Sequence, residues 1–465
     1  MVLVYVVIQA VSGGGLLSPP AAENAAGAGP AAGAPFGYSA SAQAAFSQRV
    51  TLGESQVLFQ LSPGGAVATA ARVAAFRREI VRAVRGTNIP ADLLEGLVYL
   101  ESAGRSQVIA GNSVANAAGL TQIQAATGTE MLGLKINLSR SAKLTAEIGS
   151  AQDVGDNALV AKLEASRAKA DPRFDPTSEL AATVRYLRTA EASFGNRADL
   201  AVVAYHSGIG ELEQILDLYN GGHAVPYTQL YFDATPYSHT AAYMALNGLT
   251  DSGALYYWRV LAAERIMSLW RTDRPALRRW ASRAEQFPSN ALVLVPPTAA
   301  NTFSTPSAVA SAYWTKPQAQ LVPLPRNAAA LHLAYATAMG SLASKVGAPR
   351  AIYRGLRPSA IRMLIQMAAW VDQLAGTSAP LTVATSVSDP KYSALLGFDD
   401  DPPAATGYTF QIDRTYSGAA QRSAFQFVLD RLQDLNLIAW IRGVSTIEIT
   451  VAPDAASVIA HGIGH

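Results

Sequence analysis

From residue 71 onward, apolar residues fall at helical spacing. Val73, Phe76, Ile80 and Val84 make one stripe, and Arg72, Arg77, Arg78, Arg82 and Arg85 occupy the rest of that surface. Past Ile89-Pro90-Ala91-Asp92, the residues Leu94, Leu97, Val98 and Glu101 share one face of a further helix. Helical patterning continues through Val184-Tyr186-Leu187, from Leu200 to Leu218, and from Leu255-Tyr256-Tyr257 to Trp270, with almost no strand signal between 71 and 285. The texture then changes. Ile361, Leu364, Ile365 and Ala368 predict a helix, Leu381-Thr382-Val383 a strand, Phe425 to Leu435 a helix, and Thr446-Ile447-Glu448-Ile449-Thr450-Val451 an alternating strand. The pattern predicts a mainly α domain over 71–285 and a smaller α+β domain over 326–453, without an internal repeat.

The remaining segments read as connections. Residues 12 to about 48 are dominated by Ala, Gly, Pro and Ser, too poor in bulky apolar surface to order themselves, and 18–70 is read as a tether. Residues 286–325 hold Phe287-Pro288, Pro296-Pro297, Pro306, Pro317 and Pro323 and read as an extended linker, and 454–465 as a tail. The apolar run of residues 1–8 is too short to span a bilayer, and the first basic residue is Arg49. Its length suits the core of a secretory signal although the basic leader of such signals is missing, and residues 1–17 read as a signal remnant, with a loose hydrophobic tail as the alternative. With 465 residues, half of them hydrophobic, the chain can build more than one core. A net charge of +2 gives no global basic field for nucleic acid, and the arginine face at 72–85 is either a solvated surface or a contact for anionic wall polymer. The absence of cysteine removes disulfides, thiolate nucleophiles and cysteine-ligated zinc.

Glu101 carries the chemistry. A carboxyl stands where a leucine belongs, and burying its charge is costly, so its pKa should be raised and part of it protonated near neutrality, as a general acid requires. Glu101-Ser102 closes its helix. Ser113 precedes Gln122 of Gly119-Leu120-Thr121-Gln122-Ile123 by nine residues, and Ala204-Tyr205-His206-Ser207-Gly208 follows a later helix. In these three ordered motifs, over roughly residues 80 to 270, the chain resembles the lysozyme-like soluble lytic transglycosylases. Their patterns are a Glu-Ser pair, a serine ahead of Gly-Leu-Met-Gln-Ile, and Ala-Tyr-Asn-Ala-Gly. The chain departs from the family at Gly104, where a large apolar residue is usual, at Gln124 in place of methionine, at His206 in place of asparagine, and in an insertion over about 130–170.

The resemblance implies a lysozyme-like fold and a peptidoglycan glycan substrate. It implies that Glu101 gives a proton to the leaving glycosidic oxygen and then, as carboxylate, takes one from the C6 hydroxyl, with the substrate's acetamido group assisting and no cofactor. Tyr205 is the candidate to hydrogen-bond and orient Glu101. Ser113, Gln122 and His206 are candidates to hold the sugar, supported by Ser102, Gly119, Leu120, Ile123, Ala204 and Gly208. The alternative for Ser113 and Gln122 is bonding to the turn's own backbone, and for Tyr205 a place in the core. Glu95, off the apolar face, and Glu130 are weaker candidates for a second carboxylate. Of the six histidines, only His461 and His465 have metal-ligand spacing, on a Gly-rich end.

Residues from about 353 to 453 resemble zinc D-alanyl-D-alanine carboxypeptidases through Thr382-Val383-Ala384-Thr385-Ser386, Thr406-Gly407-Tyr408-Thr409-Phe410-Gln411-Ile412 and Ile447-Glu448-Ile449-Thr450-Val451. The family's ligand positions fall on Ala404, Gln411 and Glu448, and its arginine on Ser388. Alanine cannot ligate zinc and an amide ligates it poorly, so no catalytic zinc is expected there. What is left is a scaffold, or a cleft for stem peptides. The leading expectation is an extracytoplasmic lytic transglycosylase without a membrane span. A hydrolytic muramidase or chitinase-like enzyme and a non-catalytic wall-binding protein are the alternatives.

Overall fold

A computed structural model describes residues 36–287, 289–314, 320–397 and 401–458. The described chain forms two compact units, one of residues 54–234 with 241–285, the other of 36–53, 235–240 and 286–458. The first unit is helical throughout, and the second is a smaller α+β unit, as the hydrophobic patterning predicts. No helix among the described residues is long and apolar enough to cross a membrane.

In chain order the helices begin with α1 Gln43–Leu61, α2 Ala66–Ala74, α3 Arg77–Ala83 and α4 Ala91–Ser102. A helical pair follows, α5 Leu138–Asp153 and α6 Asn157–Ala170. Next come α7 Pro176–Ser193, α8 Ala198–Ser207, α9 Ile209–Asn220, α10 Tyr227–Asp233, α11 Thr240–Gly248, α12 Tyr256–Thr272 and α13 Arg274–Gln286. Helix α4 starts behind Pro90, whose fixed φ leads into the first turn, and carries Asp92 at its positive end. It stops where Ala103 (φ 54°) and Gly104 (φ 73°) turn left-handed and their amides close back on Tyr99 and Val98. Leu94, Leu97 and Val98 are fully buried with Leu120, Leu180, Val202, Val260 and Ile266 in one core. Helix α12 packs directly along α4. A Cβ on Gly96 would sit 3.0 Å from the Val260 carbonyl oxygen, so Gly96 sets how closely the two helices approach.

The tether reading of 18–70 is corrected over its second half, because residues 43–61 are helical and α2 begins at Ala66. Composition hid this. Phe46 and Val50, one helical turn apart, are buried, as are Leu58 and Phe59, and that apolar surface suffices to order the segment. Residues 1–17, with the signal-remnant reading, lie outside the described residues.

In the second unit β1 (Val322–Pro323) pairs with β3 (Gly355–Leu356), and a separate sheet runs β2-β4-β5-β7-β6, with β2 (Leu333–Tyr335) parallel to β4 (Leu381–Thr385) and the other pairs antiparallel: β5 Thr409–Asp413, β6 Ile438–Arg442 and β7 Thr446–Val451. Helices at Pro358–Ala375 and Ala419–Asp434 match the predicted ones and pack on each other. The linker reading of 286–325 is also corrected. It contains helices Asn290–Leu294 and Pro306–Trp314, and Val322–Pro323 pairs with Gly355–Leu356. Pro306 opens a helix and Pro323 lies on a two-stranded ribbon, while Val309, Tyr313 and Leu321 join a buried cluster; Pro288 and Pro317 lie outside the described residues. In the 454–465 tail, Ala455–Val458 is helical, and His461 and His465 lie outside the described residues.

Candidate active site

The site is assembled in the first unit from the C-terminal end of α4, the loop 103–126, the end of α8 and the start of α12. Glu101 lies in the last turn of α4, where the apolar stripe brings it to the border of the core. Burial pushes its carboxyl up to about 7, against the opposing hydrogen bond from Tyr256. At that value about half the molecules carry the proton at pH 7, against about one in 500 for an unperturbed glutamate. The Tyr256 hydroxyl donates to Glu101 Oε1. Tyr256 opens α12, and the close α4–α12 packing delivers it there. This corrects the expectation for Tyr205. The Tyr205 hydroxyl instead donates to the Thr121 carbonyl at 2.6 Å, and its ring meets Tyr186 edge-on. Tyr205 therefore ties α8 to the Gly119–Ile123 turn. It remains close enough for the Glu101 charge to help burial raise its pKa.

The turn itself is built by contacts that sequence reading missed. Glu179, fully buried on α7, accepts the Leu120 amide at 2.7 Å and the Thr121 amide at 2.8 Å, one on each carboxyl oxygen. Burial pushes Glu179 up to about 8, opposed by those amides and by Arg173. Arg173, also fully buried, pairs with Asp171 at 2.7 Å and donates to the carbonyls of Val114 (2.6 Å), Asn116 (2.8 Å) and Ile123 (3.1 Å). One side chain thus grips the amides of the Ser113–Ile123 loop, and the other grips its carbonyls. Gly119 runs between them at φ 88°, where a Cβ would lie 2.1 Å from the Arg173 carbonyl oxygen and 2.4 Å from Glu179 Oε1. Only glycine fits.

The Gln122 amide donates to the Gly119 carbonyl at 2.7 Å from a residue with φ 53°, and Ser113 Oγ accepts the Ala115 amide at 3.2 Å. Both side chains bond the loop's own backbone. Leu120, Ile123 and Ala204 are buried, Ser102 Oγ donates to the Val98 carbonyl at 3.2 Å, and Gly208 (φ 91°) turns the chain from α8 into α9. His206 stacks on Tyr256, with ring centroids 4.6 Å apart and planes 16° off parallel. Gly104, the departure beside the Glu-Ser pair, has a local cause. A Cβ there would lie 2.7 Å from the Val73 amide nitrogen and 2.8 Å from the Arg72 carbonyl carbon. The segment over 130–170 forms α5 and α6, tied in by Arg167, which donates to Gln107 and Thr145 at 2.8 Å each.

The two weaker acids stand elsewhere. Glu95, off the apolar stripe, is nevertheless buried, clamped by Arg77 at 2.9 Å and by Arg271. Glu130 is exposed in a single π-helical turn, Thr127–Met131. In the second unit Gln411 and Glu448 face each other across β5 and β7, and the Gln411 amide donates to Glu448 Oε2 at 3.1 Å. Ala404 lies in the turn before β5. An alanine, an amide whose nitrogen faces a carboxylate, and one carboxylate do not form a zinc donor set.

Comparison with known families places residues 80–222 in the family model described as Transglycosylase SLT domain. This supports a lytic transglycosylase domain acting on peptidoglycan, and so a transglycosylase at the general level. The match covers the Glu101, Ser113–Ile123 and Tyr205–Gly208 motifs and ends before Tyr256. No curated protein and no solved structure matches the chain.

Proposed function

We propose that the first unit is a murein lytic transglycosylase. It cleaves the β-1,4 bond between N-acetylmuramic acid and N-acetylglucosamine and leaves a 1,6-anhydro end, with Glu101 as its single acid and base. The observation that carries this reading is one carboxyl held near pH 7 by burial while a phenol hydroxyl fixes its orientation. Protonated Glu101 gives its proton to the leaving oxygen as the C1–O4 bond breaks, and the acetamido group supports the cation-like centre. The carboxylate then takes the proton of the C6 hydroxyl as O6 bonds to C1, which regenerates the acid. No second carboxylate is needed, in keeping with Glu95 being clamped by arginines and Glu130 lying in solvent.

Ser113 and Gln122 line the sugar groove on a loop held from beneath by Arg173 and Glu179, Tyr205 supports the turn, and His206 completes the wall beside Tyr256. Residues 71–285 form the catalytic domain. Residues 326–453 form a carboxypeptidase-like domain without catalytic zinc that contacts stem peptides, and the protein acts outside the cytoplasm. Digestion of purified sacculi followed by mass spectrometry tests the reaction. The expected fragments are one water lighter than hydrolytic ones and vanish with Glu101→Gln. Hydrated ends overturn the ring-closing step in favour of hydrolysis, and binding to murein without release of fragments overturns catalysis.

A further inference from the structure

His206 occupies the position where the resembling family carries asparagine, and its ring makes contacts that an asparagine lacks. One face lies against the Tyr256 phenol in an offset stack, with centroids 4.6 Å apart and planes 16° off parallel. The imidazole also contacts the 3₁₀ turn Thr250–Leu255, which runs directly into Tyr256. A Cβ on Gly253 would lie 2.9 Å from His206 Cδ2, so the backbone there closes on the ring with no room for a side chain. Nε2 lies 3.3 Å from the Thr250 carbonyl oxygen, which suits an Nε2–H donor. The imidazole thus contacts both the turn that launches α12 and the first aromatic ring of α12. That ring carries the hydroxyl that meets Glu101.

We propose that His206 is a positioning residue for Glu101: it acts through Tyr256, holding the phenol by stacking so that the hydroxyl meets the acid. The inference rests on the transglycosylase reading and deepens it, replacing a sugar contact at this position with a contact to the orienting tyrosine. What the site needs there is a flat ring, not a hydrogen-bonding amide. Tyr205 also feels the Glu101 charge, which adds to burial in raising its pKa.

The test compares wild type with His206→Ala, His206→Phe, His206→Asn and Gly253→Ala. It uses two readouts: kcat and KM on soluble murein strands, and the titration of Glu101 by carbon-13 carboxyl NMR, with the signal assigned by its loss in Glu101→Gln. Alanine and asparagine should lower kcat about tenfold with KM within about twofold, since a misplaced reacting group costs turnover rather than binding. The Glu101 midpoint should rise by about one pH unit as the tyrosine bond loosens. Phenylalanine should restore most of both. Gly253→Ala, which pushes the ring away without altering it, should move both readouts in the alanine direction. A rise in KM with unchanged kcat in His206→Ala, or phenylalanine no better than alanine, overturns the proposal. Failure of the underlying reading shows separately, as wild-type digests without anhydro ends, while the NMR titration still reports on His206.

Discussion

Tyr256→Phe removes a single oxygen and probes the heart of the site. In the native protein that hydroxyl donates to Glu101 and works against burial, which on its own would lift the carboxyl above its value of about 7. A hydrogen bond to a charged group contributes about 1.5–3 kcal/mol. At about 1.4 kcal/mol per unit, losing it raises the Glu101 midpoint by about 1–2 units, to about 8–9. The acid form must be present for the first step, so activity falls as pH rises through this midpoint, and the basic limb of kcat/KM should move to higher pH. More of the enzyme is then protonated at pH 7, yet turnover should fall about 10- to 100-fold, because the carboxyl has lost its orientation and is a poorer leaving site for the proton. The assay is a pH series of murein clearance with product masses at each point, beside a carboxyl NMR titration. A basic limb that stays in place or moves to lower pH refutes the argument, since it would show that the hydroxyl does not favour the ionised form.

Glu101→Gln should abolish fragment release and change the pH dependence of stability. The folded midpoint of about 7 exceeds the ordinary 4.5, so the folded state keeps a proton that the unfolded chain has released. Native stability is fully present below about 4.5 and is lost as pH rises through 7, by about 3 kcal/mol. The amide variant should lose that part of the decline in thermal melts run from pH 4 to pH 9. Arg173→Met takes the guanidinium away from three loop carbonyls and from the fully buried Asp171, to which only the Ser141 hydroxyl and a backbone amide then donate, which should cost about 3–5 kcal/mol and speed amide exchange across residues 113–123. Gly104→Val meets both a left-handed backbone and the Val73 amide nitrogen at 2.7 Å, so chemical denaturation should show a loss of about 2–4 kcal/mol.

Where one face of an element is wet, its identity is legible in the sequence. The Leu94–Leu97–Val98–Glu101 stripe gives both the helix and the buried carboxyl, because a 3.6-residue period fixes which side chains share a face. The alternation in residues 446–451 gives β7 for the corresponding reason. Strand β5 alternates as well, with Thr409, Gln411 and Asp413 between Phe410 and Ile412, and only the sheet shows that Thr409 and Gln411 are buried too, in its middle. Glu179 and Arg173 escape such a reading. Both side chains are fully buried, and the groups that make this tolerable, the Leu120 and Thr121 amides and the Thr121 hydroxyl for Glu179 and three loop carbonyls for Arg173, lie fifty or more residues away, with Asp171 alone close in sequence to Arg173.

By itself, then, the sequence determined the helical frame, the placing of one acid on an apolar face, and the glycine the turn at 119 requires, because these follow from local periodicity and backbone sterics. Tertiary structure decided which tyrosine reaches that acid. Tyr205 and Tyr256 are chemically alike, and the choice rests on how α12 crosses α4 over Gly96, a contact between residues 155 apart in the chain. It also decided how far the carboxyl's pKa climbs, since desolvation depends on every group that closes around it and not on its neighbours in sequence.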